Sequence, residues 1–314
     1  MTSNATGTTF AQVSGEILKA MPCPLPPLSE QRLIVERIES LFEKLDHARE
    51  LVQSALDSFE TRKAAILHKA FTGELTANWR KENGVGIDSW EKVSFESLIK
   101  SGPQNGLYKP KNTYGNGTKI IRIDGFYDGY VEPWNTIKRL RLDDSEVILY
   151  ELKVGDIIIN RVNSMTFLGK SALIRELPER CVFESNIMRL EVDSEQLLPE
   201  YIIQYLNSPT GLGELRKNTK QAVNQASINQ QDVKKVIVPL PKIKEQQEIV
   251  FILNRLLEEE QSAKDKLESL LKQIDLTKKS ILARAFRGGL GTNDLSEESA
   301  LELLKEVLSE NQNI

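Results

Sequence analysis

The sequence has little of what most enzymes and metalloproteins are built from. Only two histidines occur among 314 residues, His47 and His68, and both fall in one predicted helix. The two cysteines, Cys23 and Cys181, stand far apart and match neither zinc-site spacing nor a disulfide framework, so we interpret both as plain thiols. The sequence contains no P-loop, no GxGxxG after a strand and no Asn-Pro-Pro-Tyr type of methyl-transfer motif. These absences predict a chain with no catalytic centre, metal site or cofactor of its own.

Long apolar runs are also missing from the chain. No stretch reaches the roughly 18 residues that a membrane span requires. The polar N-terminus lacks the charged-then-apolar pattern of a signal peptide, which predicts a cytoplasmic protein. The formal net charge of −4 argues against a histone-like binder, but it leaves room for a local basic face.

What the sequence does contain is a long internal repeat. The stretch "PLPPLSEQRLIV", which starts at Pro24, returns as "PLPKIKEQQEIV", which starts at Pro239. The offset of 215 residues then stays constant without gaps as far as Leu75 and Leu290. A segment of about 70 residues therefore occurs twice and flanks a large unrepeated insert, which is unlike the stacked repeats of a solenoid.

Each copy is predicted to begin as an extended Pro-rich stretch and to continue as a long helix. Ser29 is a candidate N-cap, and Glu30 places a negative charge at the positive end of the helix, as Glu245 does in the second copy. Gly73 and the pair Gly288–Gly289 are the predicted helix stops. Each helix is expected to run about 40 residues, or about 60 Å.

Apolar residues in both helices follow the 4-3 spacing that is typical of a coiled-coil seam. The predicted seam of the first copy is Ile34, Ile38, Leu41, Leu45, Ala48, Val52, Ala55 and Phe59. The predicted seam of the second copy is Ile249, Leu253, Leu256, Glu260, Ala263, Leu267, Leu270 and Ile274, which only Glu260 interrupts. Packing of each helix on its own globular domain is the alternative, but a narrow stripe between charged faces favours helix pairing. If the ends of the insert lie close together, the two helices run antiparallel.

The insert is predicted to be a mixed α/β domain with a mostly β core. Strand-like runs separated by Gly, Asn and Asp cover Thr118–Ile123, Gly155–Val162, Lys170–Arg175 and Cys181–Val192. A helical patch follows around Pro199, and a short helix is expected in residues 211–219. At about 150 residues, the insert is large enough for a core of its own.

Three loops of the insert combine basic, amide and aromatic side chains. The first loop is Gly106–Lys119, the second is Asn160–Lys170 and the third is Arg216–Gln231. Lys and Arg neutralise phosphates, whereas Asn, Gln and Arg read base edges, so these loops indicate DNA binding. The candidate contacts are Tyr108, Lys109, Lys111, Asn112, Tyr114, Lys119, Arg161, Asn163, Ser164, Lys170, Lys217, Lys220, Gln221, Asn224 and Gln225. Two alternatives stay open at this point: the loops are ordinary solvated loops, or the chain is a coiled-coil scaffold whose insert binds protein rather than DNA.

Both copies resemble one known family. "PLPPLSEQRLIVERI" with the exit "RKAAILHKAFTGELT", and "PLPKIKEQQEIV" with the exit "KKSILARAFRGGLGT", are similar to type I restriction-modification specificity subunits. The resemblance implies an α+β fold in which a mixed α/β target recognition domain lies between two long helices that form an antiparallel coiled coil. The implied segments are a remnant tail of a preceding recognition domain (1–28), a first conserved helical region (29–76), the target recognition domain (77–240), a second conserved helical region (241–291) and an acidic C-terminal helix or tail (292–314).

The resemblance also implies a function and partners. A specificity subunit is not an enzyme: it reads one half of a bipartite target in double-stranded DNA and docks modification subunits of an adenine-N6 methyltransferase through its helices. The restriction subunit joins through the complex. S-adenosylmethionine, ATP and Mg would then be bound by the partner subunits. Against the family pattern, the segment before the first helix is interpreted as only the tail of a first recognition domain, as in a natural half-subunit, a recombining partial gene or a truncated piece. The hypothesis that follows is that two copies associate through the helices.

Overall fold

The computed structural model describes residues 15–127, 129–131, 133–222 and 225–292. The candidate contact Asn224 lies outside these residues, as do the first part of the predicted remnant tail and the acidic segment from residue 293 onward. The chain divides into two compact units. One comprises the described parts of residues 1–57 and 263–314, and the other comprises those of residues 58–262.

Helices and mostly antiparallel strands make up an α+β fold, as the sequence predicts. The helices are α1 (Gly15–Lys19), α2 (Leu28–Asp57), α3 (Phe59–Phe71), α4 (Ala77–Glu82), α5 (Asp144–Tyr150), α6 (Pro199–Leu206), α7 (Pro209–Arg216), α8 (Gln230–Lys234) and α9 (Ile243–Ala285). The strands are β1 (Glu91–Ser94), β2 (Ile99–Asn105), β3 (Tyr114–Ile121), β4 (Phe126–Tyr127), β5 (Tyr130–Val131), β6 (Arg139–Leu140), β7 (Ile157–Asn160), β8 (Val162–Asn163), β9 (Ser171–Leu173), β10 (Cys181–Phe183), β11 (Ile187–Val192), β12 (Lys220–Ala222), β13 (Gln225–Ser227) and β14 (Ile237–Leu240).

The first unit pairs α2 with the C-terminal part of α9. Asp46 forms an ion pair with Lys278, and Arg49 forms one with Asp275. A step of three residues forward along α2 is therefore a step of three residues back along α9, which is the signature of antiparallel helices. The antiparallel pairing predicted from the sequence is present in this unit.

The seam of the first copy is confirmed, and that of the second copy needs a correction. All eight predicted positions from Ile34 to Phe59 are buried or half-buried. In α9, however, the predicted Ala263 and Leu270 are exposed, while Lys264 and Leu271 are half-buried. The sequence permits a seam through either residue 270 or residue 271, because both are leucine. In the structure the seam runs from Glu260 to Lys264, four residues further on, and then through Leu271.

Glu260 does not interrupt the helix pairing in the second unit. Its carboxylate accepts a hydrogen bond from Nε of Arg62 on α3 at 2.9 Å, and both side chains are partly exposed. A charged residue can occupy a seam when its partner lies opposite and water still reaches both groups. The first copy is also not one regular helix of about 40 residues, because Ser58 separates α2 from α3, whereas α9 runs for 43 residues without a break.

The sequence repeat is reproduced in local structure. At the constant offset of 215 residues, α1 and α8 begin and end at equivalent residues. Helices α2 and α9 also begin at equivalent residues. Gln31 Nε2 donates to the carbonyl oxygen of Pro26 at 2.8 Å, and Gln246 Nε2 donates to that of Pro241 at 2.8 Å. Both helical segments stop before a glycine with positive φ, as predicted: Gly73 at +84° and Gly288 at +68°.

The second unit contains the β domain. Its central sheet has the order β2-β11-β7-β9, and all three neighbouring pairs are antiparallel. A second sheet has the order β10-β3-β6 with a parallel β10–β3 pair, and a third has the order β12-β13-β8. Strands β1 and β14 pair antiparallel, so the first and last strands of the insert lie side by side. This is the geometry that the antiparallel helices require.

Two buried tyrosines of α6 join the β domain to the helical region. The ring of Phe71, near the end of α3, packs edge-on against Tyr201 and Tyr205, with ring centroids 5.5 and 5.1 Å apart. The two hydroxyls donate to the carbonyl oxygens of Pro239 and Ile237, each at 2.6 Å. A buried tyrosine hydroxyl needs such a partner, and these bonds fix β14 against α6.

Candidate nucleic-acid interface

The first basic loop lies directly against the turn between β10 and β11. Leu107 N–H donates to the carbonyl oxygen of Phe183 at 3.0 Å, and Ser185 N–H donates to that of Leu107 at 2.8 Å. The approach is so close that a Cβ atom on Gly106 would stand 2.3 Å from the carbonyl oxygens of both Phe183 and Glu184. Glycine is therefore required at position 106, and this close approach fixes where the first loop begins.

The second loop contacts the same turn from another direction. Arg161 donates from its backbone N–H to Asn186 O at 2.9 Å and from Nη1 to Ser185 O at 3.1 Å. The carbonyl oxygen of Arg161 accepts from Ile228 N–H at 2.9 Å, which adds the third loop. The first and second loops thus meet at Ser185–Asn186, and the third loop joins them through Arg161.

Strand pairing continues the contact between the second and third loops. Asn163 on β8 lies opposite Ala226 on β13, and Ser227 on β13 lies opposite Lys220 on β12. Arg216 also contacts the second loop, since its Nε and Nη2 donate to the carbonyl oxygen of Leu168 at 2.9 and 2.6 Å. The loop from Ser164 to Gly169 is therefore held from the α7 side.

An open cleft of about 500 Å³ lies where the first loop meets the turn. Four of its lining side chains are cations and one is a carboxylate, which gives the cleft a positive balance. The lining residues are Leu107, Tyr108, Lys109, Lys111, Tyr114, Arg122, Lys138, Glu184, Ser185 and Asn186. A positive cleft with amide and aromatic groups at its wall suits a polyanion that also presents hydrogen-bonding edges.

Most of the predicted contacts are accessible, but several are already paired. Lys109 forms an ion pair with Glu146 at 2.7 Å, and its hydrogen bond lowers the pKa of that carboxyl. Lys217 pairs with Glu214 at 2.5 Å. Lys170 is half-buried, with its ammonium 4.7 Å from the centroid of the Phe167 ring.

The remaining predicted residues divide by exposure. Tyr108 is 79% exposed, and Tyr114 is half-buried with a pKa raised by burial. The exposed residues are Lys111, Asn112, Ser164, Lys220 and Gln225, and the half-buried ones are Arg161 and Asn163. The side chain of Gln221 and all of Asn224 lie outside the description.

Lys119 is the clear correction to the sequence-based set. It is only 6% exposed, its Nζ donates to the carbonyl oxygen of Trp134, and it lies 3.5 Å from Glu179. Strand β3 is central in its sheet, so Lys119 lies between Cys181 on β10 and Arg139 on β6. Its ammonium supports the sheet rather than facing the cleft.

Sequence reasoning missed six of the residues that line the cleft: Leu107, Arg122, Lys138, Glu184, Ser185 and Asn186. Arg122 follows directly after β3, and its Nε donates to Glu184 Oε2 at 3.3 Å. The other carboxylate oxygen of Glu184 accepts from Ile123 N–H at 2.6 Å. A single basic residue at the end of an apolar strand was the one available signal for Arg122, and it did not distinguish Arg122 from Lys119.

No group of three His, Cys, Asp or Glu side chains within the described ranges is arranged to hold a metal ion. None of the described helices combines the length and hydrophobicity needed to cross a membrane.

Residues 1–53 and 87–280 match the family described as the type I restriction modification DNA specificity domain. The chain belongs to this family. It is 30% identical over 300 residues to the type I restriction enzyme EcoKI specificity subunit of Escherichia coli K12, a match that covers 91% of this chain and 63% of that protein. It is 28% identical over 296 residues to the StySPI specificity subunit of Salmonella potsdam, again covering 91% and 63%.

Solved structures show the same fold. A chain from a study of complex assembly and conformational transition in the type I R-M system has a TM-score of 0.68 at 23% identity, covering 90% of this chain and 65% of that one. The HsdS subunit from Thermoanaerobacter tengcongensis has a TM-score of 0.56 at 23% identity, covering 92% and 66%. The predicted family and fold class are confirmed. The chain spans about 63% of the length of these curated relatives.

Proposed function

We propose that this chain is a non-catalytic DNA specificity subunit of a type I restriction-modification complex and reads one half of a bipartite target. The observation that carries the proposal is that two polar loops meet at Ser185–Asn186 beside a positive cleft and that the third loop joins them through Arg161. Lys111 and Lys138 supply charge for the phosphates, and the amides of Asn163 and Asn186 supply groups for base edges. Recognition of a specific duplex needs both kinds of contact.

The proposal extends to the segments and partners of the family. Residues 77–240 act as the target recognition domain, and residues 29–76 and 241–291 act as the conserved helical regions. The helices dock the modification subunit, which binds S-adenosylmethionine, while the restriction subunit with ATP and Mg joins through the complex in the cytoplasm.

Two copies of the chain are also proposed to associate through their helices. A twofold dimer would place two equivalent recognition domains on a palindromic bipartite site. Light scattering coupled to size exclusion tests this point, with the chain alone and with its modification subunit. A monomer under both conditions excludes the dimer and leaves the specificity function standing.

Methylation mapping tests the function. The chain is co-expressed with its modification subunit in a methylation-free host, and modified adenines are located by long-read sequencing. A symmetric two-part motif supports the function and the dimer together, and an asymmetric motif shows that another chain supplies the second half. Absence of any motif from a purified, assembled complex overturns the proposal.

Salt-dependent binding separates DNA recognition from the protein-binding scaffold alternative. The logarithm of the association constant for duplex DNA should fall linearly with the logarithm of salt concentration. Lys111→Ala and Lys138→Ala should each weaken binding to all sequences and reduce the salt slope by about 1. Lys92→Ala is the matched control, because Lys92 is exposed on β1 and does not line the cleft. Binding that is absent or independent of salt favours the scaffold.

A further inference from the structure

Arg122 is held in place on the wall of the cleft. Its Nε donates to Glu184 Oε2, and Glu184, which is 13% exposed, is itself fixed by the N–H of Ile123. The ring of Tyr114 lies on another side, with its centroid 5.8 Å from the guanidinium carbon. The guanidinium is therefore oriented by two neighbours, Glu184 and Tyr114, before any ligand binds, which lowers the conformational entropy lost on binding.

The terminal nitrogens of Arg122 have no hydrogen-bond partner among the residues that the structure describes. Within the described ranges, the side-chain hydrogen bond of Arg122 leaves from Nε. Arg122 also borders a second, adjacent cleft of about 220 Å³, and its side chain is 33% exposed. Arg139, which lines a third cleft nearby, differs in this respect, because both of its terminal nitrogens donate to Glu179.

The chemistry of this arrangement favours a base over a phosphate. The Glu184 carboxylate offsets the charge of the guanidinium, which weakens attraction to a phosphate but preserves two parallel donors. Two parallel donors of a planar guanidinium match the O6 and N7 acceptors of guanine in the major groove. Lys111 and Lys138, on the same cleft, make no ion pair within the described residues and can serve the phosphates instead.

We propose that Arg122 reads one guanine of the target through its terminal nitrogens and that Glu184 is the residue that positions it. The inference rests on the proposed DNA specificity function and goes beyond it by assigning one base of the target to one side chain.

Selection from a randomised duplex library tests the inference with the full chain in complex with its modification subunit. The wild-type complex should select a site with guanine at one position. Arg122→Lys keeps the charge but loses the paired donors, so discrimination at that position should fall about 5- to 150-fold, while the other positions and non-specific affinity stay unchanged. Glu184→Gln should weaken discrimination at the same position to a smaller extent.

Arg180→Lys is the matched control. Arg180 Nε also donates to a carboxylate, Glu151 at 2.8 Å, but Arg180 lines none of the three clefts. Its variant should select the wild-type motif. Arg122→Gln is measured in parallel, and an unchanged non-specific affinity shows that this variant is folded. It must lose the preference for guanine at the same position as Arg122→Lys.

The outcomes separate the two levels of the proposal. A wild-type motif that Arg122→Lys and Arg122→Gln leave unaltered at every position overturns the assignment of Arg122 and leaves the specificity function in place. Loss of preference at all positions at once, rather than at one, also overturns it, because the side chain would then have only a general role. No selected motif with any complex overturns the specificity function and this inference together.

Discussion

Arg80 and Glu245, which are 165 residues apart in the chain, form a buried ion pair with Nη1 2.6 Å from Oε1. Thr76 Oγ1 and Trp90 Nε1 donate to the same carboxylate at 2.7 and 3.0 Å. The carboxylate of the first turn of α9 is thus bound by α4, by the residue that caps α4 and by the residue that precedes β1. This network joins the entry of the β domain to its exit.

Removing one partner of this pair should destabilise the second unit strongly. Glu245→Gln leaves the Arg80 guanidinium buried without its counter-charge, which typically costs about 3–5 kcal/mol. Urea unfolding followed by tryptophan fluorescence measures the loss, because all three tryptophans of the chain, Trp79, Trp90 and Trp134, lie within residues 58–262.

The repeat provides a control for that measurement. Glu30 occupies the equivalent position in the first copy and is half-buried rather than buried. Because Glu30 lies in the first unit and the tryptophans lie in the second, the unfolding of both variants is also followed by far-UV circular dichroism. By that signal, Glu30→Gln should lower the free energy of unfolding by no more than about 1 kcal/mol, as for other partly exposed charges. Equal losses for Glu30→Gln and Glu245→Gln would show that the buried network is not what stabilises this junction.

Charge exchange should identify the seam contact between Arg62 and Glu260. Glu260→Arg places two cations opposite each other and should destabilise the second unit, whereas adding Arg62→Glu should restore much of the loss. Because both side chains are partly exposed, the coupling free energy from the double-mutant cycle should be about 0.5–1 kcal/mol. A coupling of zero in urea unfolding would exclude a contribution of this pair to helix pairing.

Two glycines should respond to alanine in opposite directions. Gly106→Ala places a Cβ 2.3 Å from two carbonyl oxygens, so the backbone must shift and the free energy of unfolding should fall by about 1–3 kcal/mol. Gly213, within α7, has no atom within 4 Å of the added Cβ, and alanine there should stabilise by up to about 1 kcal/mol through helix propensity. Thermal unfolding of both variants measures the signs, and a neutral Gly106→Ala would contradict the close packing of the first loop on the turn.

The two cysteines should differ sharply in reactivity. Burial raises the pKa of the Cys181 thiol to about 12, whereas Cys23 is exposed. Since the thiolate is the reacting form, a thiol reagent at pH 8 should titrate one thiol in the native chain and two after unfolding. Reaction of both in the native state would contradict the buried position of Cys181.

The same shift predicts a loss of stability at high pH. The pKa of Cys181 rises from 9.0 in the reference state to about 12 in the fold, so the native state keeps its proton while the unfolded chain releases it. The stability contribution is complete below about pH 9 and is lost as the pH rises towards about 12. Burial also raises the pKa of Tyr201 and Tyr205, which acts in the same direction above pH 10. Urea midpoints measured across this range should decline, and Cys181→Ala should reduce the slope.

The sequence by itself determined the features that depend on local pattern. A constant offset reveals the repeat without any knowledge of contacts, and equivalent residues such as Gln31 and Gln246 then make equivalent local hydrogen bonds. Apolar periodicity located the seam of α2, and positive-φ glycines such as Gly73 ended the helices where expected. These features are predictable because each is set by neighbours within one or two helical turns.

Only the tertiary structure decided the features that depend on which strands and loops meet. Leu270 and Leu271 fit the α9 seam equally well as sequence, and the partner helix selects the second. Lys119 and Arg122 are three residues apart in one basic and apolar stretch. Lys119 is buried because β3 pairs with a strand on each side, whereas Arg122 follows the end of β3 and lines the cleft. The cleft is assembled from segments that are distant in the chain, so its composition follows from sheet order, which no local pattern encodes.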